Sequence, residues 1–238
     1  MQAVIFDLDG VVTRTAEAHA GAWKRLFDEH LTARAQELGE PFRPFDRASD
    51  YRRFVDGKPR YEGVSSFLGS RGIELPYGSP DDPEDCETVC GLGNRKNRYF
   101  LDELTRKGAD PYPSTLALIA ELRQRGVRTA IVSSSRNCVA VLEAAGIGDL
   151  FDAKVDGIDA AELGLAGKPD PAVFIHAARR LHVDPRHAAV VEDAIAGVEA
   201  GRRGGFGLVV GVDRGAQSEA LAAAGADVVV GDLGELAA

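Results

Sequence analysis

Five short apolar runs punctuate the chain, at residues 3–6, 128–132, 188–191, 207–212 and 227–230. A strand exposed on one face alternates apolar and polar positions. An almost uninterrupted apolar run bounded by turn residues predicts a strand buried on both faces. Segments with helical spacing lie between these runs, at 114–125, 139–145, 171–181, 194–203 and 216–224. Strands alternating with helices predict an α/β fold with a doubly wound parallel sheet. This alternation occupies residues 1–10 and then 110–238.

The intervening stretch has a different pattern. Helical spacing appears over 16–38 and 84–107, with turn-rich pieces between them (GEPFRPFD, VDGKPRYEG and PYGSPDDPED) and no strand run. The expected architecture is a helical domain inserted after the first strand. The linkers fall near 13–16 and 105–112, so the core takes residues 1–14 and 107–238 and the insert 15–106.

Composition narrows the class without changing the outline. At 238 residues with 45% hydrophobic and 27% charged, the chain can bury a sizeable core without disulfides or structural metal. Its net charge of −9 is a poor footprint for nucleic acid or an anionic membrane, but compatible with a small anionic substrate in a locally positive pocket. No run approaches the length of a membrane span. The opening MQAVIFDLDG lacks the basic region of a signal peptide, which sets a cytoplasmic location as the expectation. Cys86, Cys90 and Cys138 are an odd set and are expected to be free thiols. Cys86 and Cys90 stand four apart, but without a second pair they read as helix residues rather than zinc ligands.

Chemistry gathers where strands end. The first strand runs into Asp7-Leu8-Asp9-Gly10, and ligands of open α/β sheets bind beyond the carboxyl ends of strands. The second apolar run closes in Ser133-Ser134-Ser135-Arg136-Asn137, where hydroxyls meet a helix N-terminus suited to anions. Lys168-Pro169-Asp170-Pro171 precedes a helix, and Glu192-Asp193 ends another strand. Each has an ordinary reading: an acid-capped turn, a serine N-cap, a helix start beside a surface lysine, a capped helix. An acid pair, a hydroxyl, a lysine and a second acid pair at the ends of one sheet form a more specific set.

In that order, DxDG, S, K-P and E-D, the chain resembles the haloacid dehalogenase superfamily of phosphotransferases. The resemblance implies a Rossmann-like core with an inserted α-helical cap. It makes Asp7 the nucleophile that accepts the phosphoryl group and Asp9 the general acid and base. Ser133 would hydrogen-bond the transferring oxygens, and Lys168 would neutralise charge between them and Asp7. It also implies Mg²⁺, held by the Asp7 carboxylate, the Asp9 main-chain carbonyl, and the Glu192 and Asp193 carboxylates. An acid at position 9 favours phosphate esters over haloacids, because an alkoxide leaving group needs a proton and a halide does not.

Within the superfamily, Thr13-Arg14-Thr15-Ala16-Glu17-Ala18-His19 followed by Ala22-Trp23-Lys24 resembles β-phosphoglucomutases and their relatives. Without that resemblance, His19 and Trp23 read as helix packing at i, i+4. The resemblance places Thr15 and His19 at the hinge and cleft entrance. It likens Gly57-Lys58-Pro59-Arg60 to a cap loop whose arginine grips the substrate's distal phosphate, and Lys96 to a cap-helix lysine that reaches the active site. Ser135, Arg136 and Asn137 would complete the distal phosphate site. Read alone, Arg60 and Lys96 are solvated surface charges. Three features depart from the family pattern: Arg14 stands for an acid, Arg136 for a lysine, and the cap is longer around 39–53 and 69–87. The stretch 61–76 is similar to a long-cap group of β-phosphoglucomutase-family hydrolases.

The implied function is Mg²⁺-dependent phosphoryl transfer on a hexose phosphate through an aspartyl-phosphate, interconverting β-glucose 1-phosphate and glucose 6-phosphate. A sugar-phosphate phosphatase using the same residues is the alternative, and a non-catalytic sugar-phosphate sensor a remote one. The expected partner is a small-molecule phosphate ester, with no nucleic acid and no membrane.

Overall fold

In the computed structural model, which describes residues 1–236, the apolar runs pair into one parallel sheet. Its strands are β1 (Ala3–Asp7), β2 (Arg128–Val132), β3 (Ala153–Val155), β4 (Ala188–Glu192), β5 (Leu208–Val212) and β6 (Val228–Val230), in the order β3-β2-β1-β4-β5-β6. Every residue of β1 and β4 is buried, the acids Asp7 and Glu192 that end their apolar runs included. The chain winds outward from β1 to β3, then returns to β4 and winds the other way. The junction of β1 and β4 is therefore the switch point, where a crevice opens at the carboxyl ends.

The chain divides into two compact units, residues 1–15 with 109–238 and residues 16–108. In the first, the helices are α4 (Pro113–Gln124), α5 (Cys138–Ala144), α6 (Gly157–Glu162), α7 (Ala172–Arg180), α8 (Ile195–Arg203) and α9 (Ser218–Ala224). Ala3 and Ile5 of β1 join Ala130, Val132 and Val190 in one core cluster with Phe174, Ala177 and Ala178 of α7 and Val198 of α8. Thr13 and Pro111 pair as an isolated bridge where the chain leaves and re-enters this unit. Arg14, one of the departures from the family pattern, lays its guanidinium 4.4 Å over the Tyr112 ring.

The second unit contains α1 (Ala16–Leu38), α2 (Arg60–Ser70) and α3 (Val89–Lys107), with a short π-helical turn at Tyr51–Val55. Its centre is aromatic. Phe27 stacks on Trp23 at 5.2 Å, and Phe67 lies 4.1 Å from Phe27 and 4.9 Å from Phe45. Such pairs add roughly 0.5–1.5 kcal/mol each beyond the area they bury.

Several boundaries differ from the sequence reading. The helix expected over 84–107 begins at Val89, because Thr88 is its N-cap and accepts a hydrogen bond from Gly91 N at 2.9 Å. The stretch VDGKPRYEG, taken as turns, contains the start of α2 immediately after Pro59. The helix expected from 216 begins at Ser218, because Ala216 takes a left-handed φ of 54°. Strand β3 and helix α6 carry too little apolar pattern to predict. The three cysteines are free thiols. Among the described residues no helix is long and apolar enough to cross a membrane.

Candidate active site

Register brings the first set of side chains together. Asp7 is the last residue of β1 and pairs with Val132, so Ser133 follows beside it; Phe6 pairs with Val191, which puts Glu192 on the other side. Lys168, in the loop before α7, lies between the two acids. Its Nζ is 2.5 Å from Asp7 Oδ1 and also contacts Glu192 Oε1. The Lys168 side chain is 1% exposed and that of Glu192 0%, so this is a buried ion triad rather than a surface pair. Glu192 Oε2 accepts from Ala194 N at 3.0 Å, which satisfies its second oxygen.

The electrostatics follow from that burial. Burial pushes the Asp7 carboxyl well above its usual range; Lys168 draws it down, while Glu192 and Asp9 push it up again. Burial also opposes the Lys168 charge, but the Asp7 and Glu192 carboxylates outweigh it and hold the ammonium above its ordinary value. One ammonium thus faces more than one acid.

Asp193 completes the acid cluster. Carboxylate oxygens of Asp7, Glu192 and Asp193 lie within 4.8 Å of one another. An all-oxygen donor set carrying excess negative charge fits a hard divalent cation such as Mg²⁺. Two glycines make room for the carboxylates of this cluster. Gly10 has φ +94°, and a Cβ there would overlap the Asp193 carboxylate. Gly197 lies in the first turn of α8, where a Cβ would overlap the Glu192 carboxylate. Gly197→Ala is therefore expected to displace Glu192 from Lys168 and Ala194 N. Its turnover should fall about 10- to 100-fold, in line with the loss of a group that orients a cation site. Steady-state kinetics beside a melting curve checks this, and wild-type turnover in the variant would refute it.

Asp9 has separate partners. Its Oδ1 accepts from Thr15 Oγ1, which also lies 2.7 Å from Thr13 Oγ1, and its Oδ2 lies 3.4 Å from Ser133 Oγ. Thr15, taken from the sequence as a hinge and substrate residue, is 2% exposed and holds Asp9. Ser133 Oγ accepts from Ser135 N and Ser135 Oγ from Asn137 N, both at 3.1 Å, and Arg136 stands in the same loop.

The remaining expected residues lie in the helical unit. Lys96 is buried, with Nζ 2.6 Å from His19 Nδ1 and 4.8 Å from the Trp23 ring centre. His19 stacks on Phe100 at 3.9 Å. Arg60, the first residue of α2, donates to Asn97 Oδ1 at 2.7 Å and Asn94 Oδ1 at 3.4 Å. Gly57 has φ +68°, and Lys58 Nζ donates to Ser66 Oγ at 2.9 Å.

Two side chains that the motif order did not single out also reach backbone carbonyls at or beside the acid cluster. Arg214 Nε donates to Gly10 O at 3.0 Å, and Gln217 Nε2 to Asp193 O at 2.9 Å. Both follow β5, and the rule that sites form beyond strand ends could have flagged them.

Comparison with known proteins gives the family. The family model of haloacid dehalogenase-like hydrolases matches residues 1–205. The chain belongs to the haloacid dehalogenase-like hydrolases. It is an enzyme of this family's phosphotransferase and phosphatase kind. A β-phosphoglucomutase of Mycobacterium tuberculosis is 49% identical over 239 residues, covering 99% of this chain and 91% of that one. A β-phosphoglucomutase of Bacillus subtilis is 36% identical over 239 residues, covering 99% and 92%. The crystal structure of a β-phosphoglucomutase from Clostridium difficile superposes with a TM-score of 0.77 at 26% identity, covering 99% of this haloacid dehalogenase-like chain and 93% of its own.

Proposed function

We propose that the protein is a Mg²⁺-dependent phosphotransferase acting on a hexose phosphate, interconverting β-glucose 1-phosphate and glucose 6-phosphate. The observation that carries this reading is the division of labour between two neighbouring acids. Asp7 is held by the Lys168 ammonium, whereas Asp9 is held by hydroxyls of Thr15 and Ser133. Two carboxylates in different environments can take a nucleophilic and a proton-transferring role in one site.

In this reading an Asp7 oxygen attacks phosphorus as the sugar oxygen departs, forming an aspartyl-phosphate, and Asp9 protonates the leaving oxygen. In the second half-reaction Asp9 takes the proton of the incoming hydroxyl, which attacks phosphorus and frees Asp7. Lys168 offsets the charge that repels a carboxylate from a phosphate, and Ser133 orients the phosphoryl oxygens. Mg²⁺, when bound by Asp7, Glu192, Asp193 and the Asp9 main-chain carbonyl, supplies further charge neutralisation. A mutase working through a sugar bisphosphate also needs contacts for the phosphate that is not reacting. Arg60, Lys58, Gly57, Lys96 and His19, with Ser135, Arg136 and Asn137, are the proposed set. Arg60 has the shape for it, its guanidinium fork being held by neutral amide oxygens of Asn94 and Asn97.

A sugar-phosphate phosphatase is the second reading, favoured by the hydrolase character of the matching family. One experiment separates the two. The protein is incubated with β-glucose 1-phosphate, Mg²⁺ and a sugar bisphosphate primer, and glucose 6-phosphate is measured against inorganic phosphate. The mutase reading expects glucose 6-phosphate to dominate, and expects Arg60→Ala to slow its formation roughly 30- to 1000-fold while sparing a small aryl phosphate. Release of inorganic phosphate alone from the wild type would overturn it in favour of the phosphatase.

A further inference from the structure

The loop between β5 and α9 carries none of the four motifs, yet two of its side chains donate to backbone carbonyls, one in the acid cluster and one in the turn that follows Asp9. Arg214 Nε reaches Gly10 O at 3.0 Å, one residue beyond Asp9, and Gln217 Nε2 reaches the carbonyl of Asp193 itself at 2.9 Å. The loop is built to present them. Asp213 Oδ1 accepts from Gly215 N at 3.0 Å and Gln217 N at 2.9 Å, and its Oδ2 accepts from Ser218 N at 3.1 Å. Between them Ala216 takes φ +54°, a conformation unfavourable for a residue with a Cβ. The Arg214 guanidinium is fixed by stacking 3.8 Å over Tyr112 and by Nη1 donating to Gly231 O at 3.0 Å.

We propose that Arg214 and Gln217 are positioning residues that tie the end of β1 to the end of β4 and so set the spacing of the cation-binding oxygens. This rests on the reading of Asp7, Glu192 and Asp193 as a cation site. The physical reason is that Asp7 and Glu192 are the last residues of their strands and Asp193 lies in the turn beyond, where a carbonyl left to solvent does not fix the carboxylate attached to it. A donor from a third strand end removes that freedom. Gln217 acts on the residue that bears the ligand, and Arg214 on the turn that follows Asp9. Neither interaction lies in the apolar core, so their loss should register in the site more than in the stability of the sheet.

The test measures the ion rather than turnover. Mn²⁺ is titrated into the metal-free protein, with the paramagnetic resonance signal of free Mn²⁺ as readout, for wild type, Gln217→Met, Arg214→Met and Asp193→Ala. Methionine keeps the length of glutamine and removes the donor. Gln217→Met and Arg214→Met are each expected to bind Mn²⁺ about 10- to 100-fold more weakly, the usual size for a group that orients a ligand. Metal-free Gln217→Met should melt close to wild type, which keeps the test decisive even where Arg214→Met folds poorly. Mn²⁺ affinity within twofold of wild type in Gln217→Met, while Asp193→Ala loses it, overturns the positioning role alone. Wild-type affinity in Asp193→Ala overturns the site assignment and the proposal with it. A loss in Gln217→Met that disappears on cooling well below its melting point marks a general stability effect and also overturns the proposal.

Discussion

Asp7→Asn is expected to abolish turnover while leaving the fold at least as stable as the wild type. The two halves of that result have one cause. In the wild type, burial and the neighbouring Glu192 and Asp9 carboxylates disfavour a charge on Asp7, and Lys168 offsets them in part. Asparagine keeps the shape and still accepts a hydrogen bond from Lys168, but it removes the disfavoured charge and with it the attacking oxygen. Loss of a nucleophile from a cooperating set lowers kcat by about 10⁴- to 10⁶-fold. Stability given up for a charged site is recovered when the charge is removed. Single-turnover kinetics and metal-free denaturant unfolding measure both quantities. Turnover within tenfold of wild type would sink the nucleophile assignment. A marked loss of stability would show that the Asp7 charge is net favourable in the folded protein.

Lys168→Met is expected to have the opposite balance, with large losses of both activity and stability. Methionine fills much of the lysine's volume, so the cost is not a cavity. It is the stranding of Asp7 and Glu192, whose side chains are 9% and 0% exposed, without their shared cation. Removing one partner of a buried ion pair costs about 3–5 kcal/mol. The stranded acids also belong to the cluster that can hold a divalent cation, so Mg²⁺ should raise the unfolding midpoint of Lys168→Met more than that of the wild type. Denaturant unfolding with and without Mg²⁺ gives the answer. A variant within about 1 kcal/mol of wild type, or one that ignores Mg²⁺, would show that Lys168 is not the counter-charge of this pair.

What the sequence discloses depends on how local the signal is. Residues 128–132 are legible as a strand to the residue, because all but the first are buried and Ala130, Ile131 and Val132 are apolar. Residues 153–155 are not: Ala-Lys-Val is short and only Val155 is buried. Helix α6 has no buried residue, and its start depends on the Asp156–Asp159 capping box rather than on an apolar face. Helix α2 hides behind Pro59 and contains two glycines, so it resembles a turn until Val64, Phe67 and Leu68 are seen to be buried together. The site behaves in the same way. Asp7, Asp9, Ser133, Lys168, Glu192 and Asp193 are legible because each follows an apolar run or stands just before a helix. That Lys168 is shared between Asp7 and Glu192, that Thr15 holds Asp9, and that Gln217 reaches Asp193 are pairings between distant parts of the chain, and no local pattern announces them.

The central place of β1 has a consequence for synthesis. The strand, at residues 3–7, is made well before its partners, 128–132 on one side and 188–192 on the other. On the ribosome, Ala3-Val4-Ile5-Phe6 therefore emerges with both edges open, and the whole of residues 16–108 follows before the first partner exists. At ordinary translation rates the second edge stays unpaired for roughly ten to forty seconds. This apolar segment thus waits longer for a neighbour than either strand that pairs with it, and a ribosome stalled before residue 188 would display it as an open template for chaperones or for other unfinished chains.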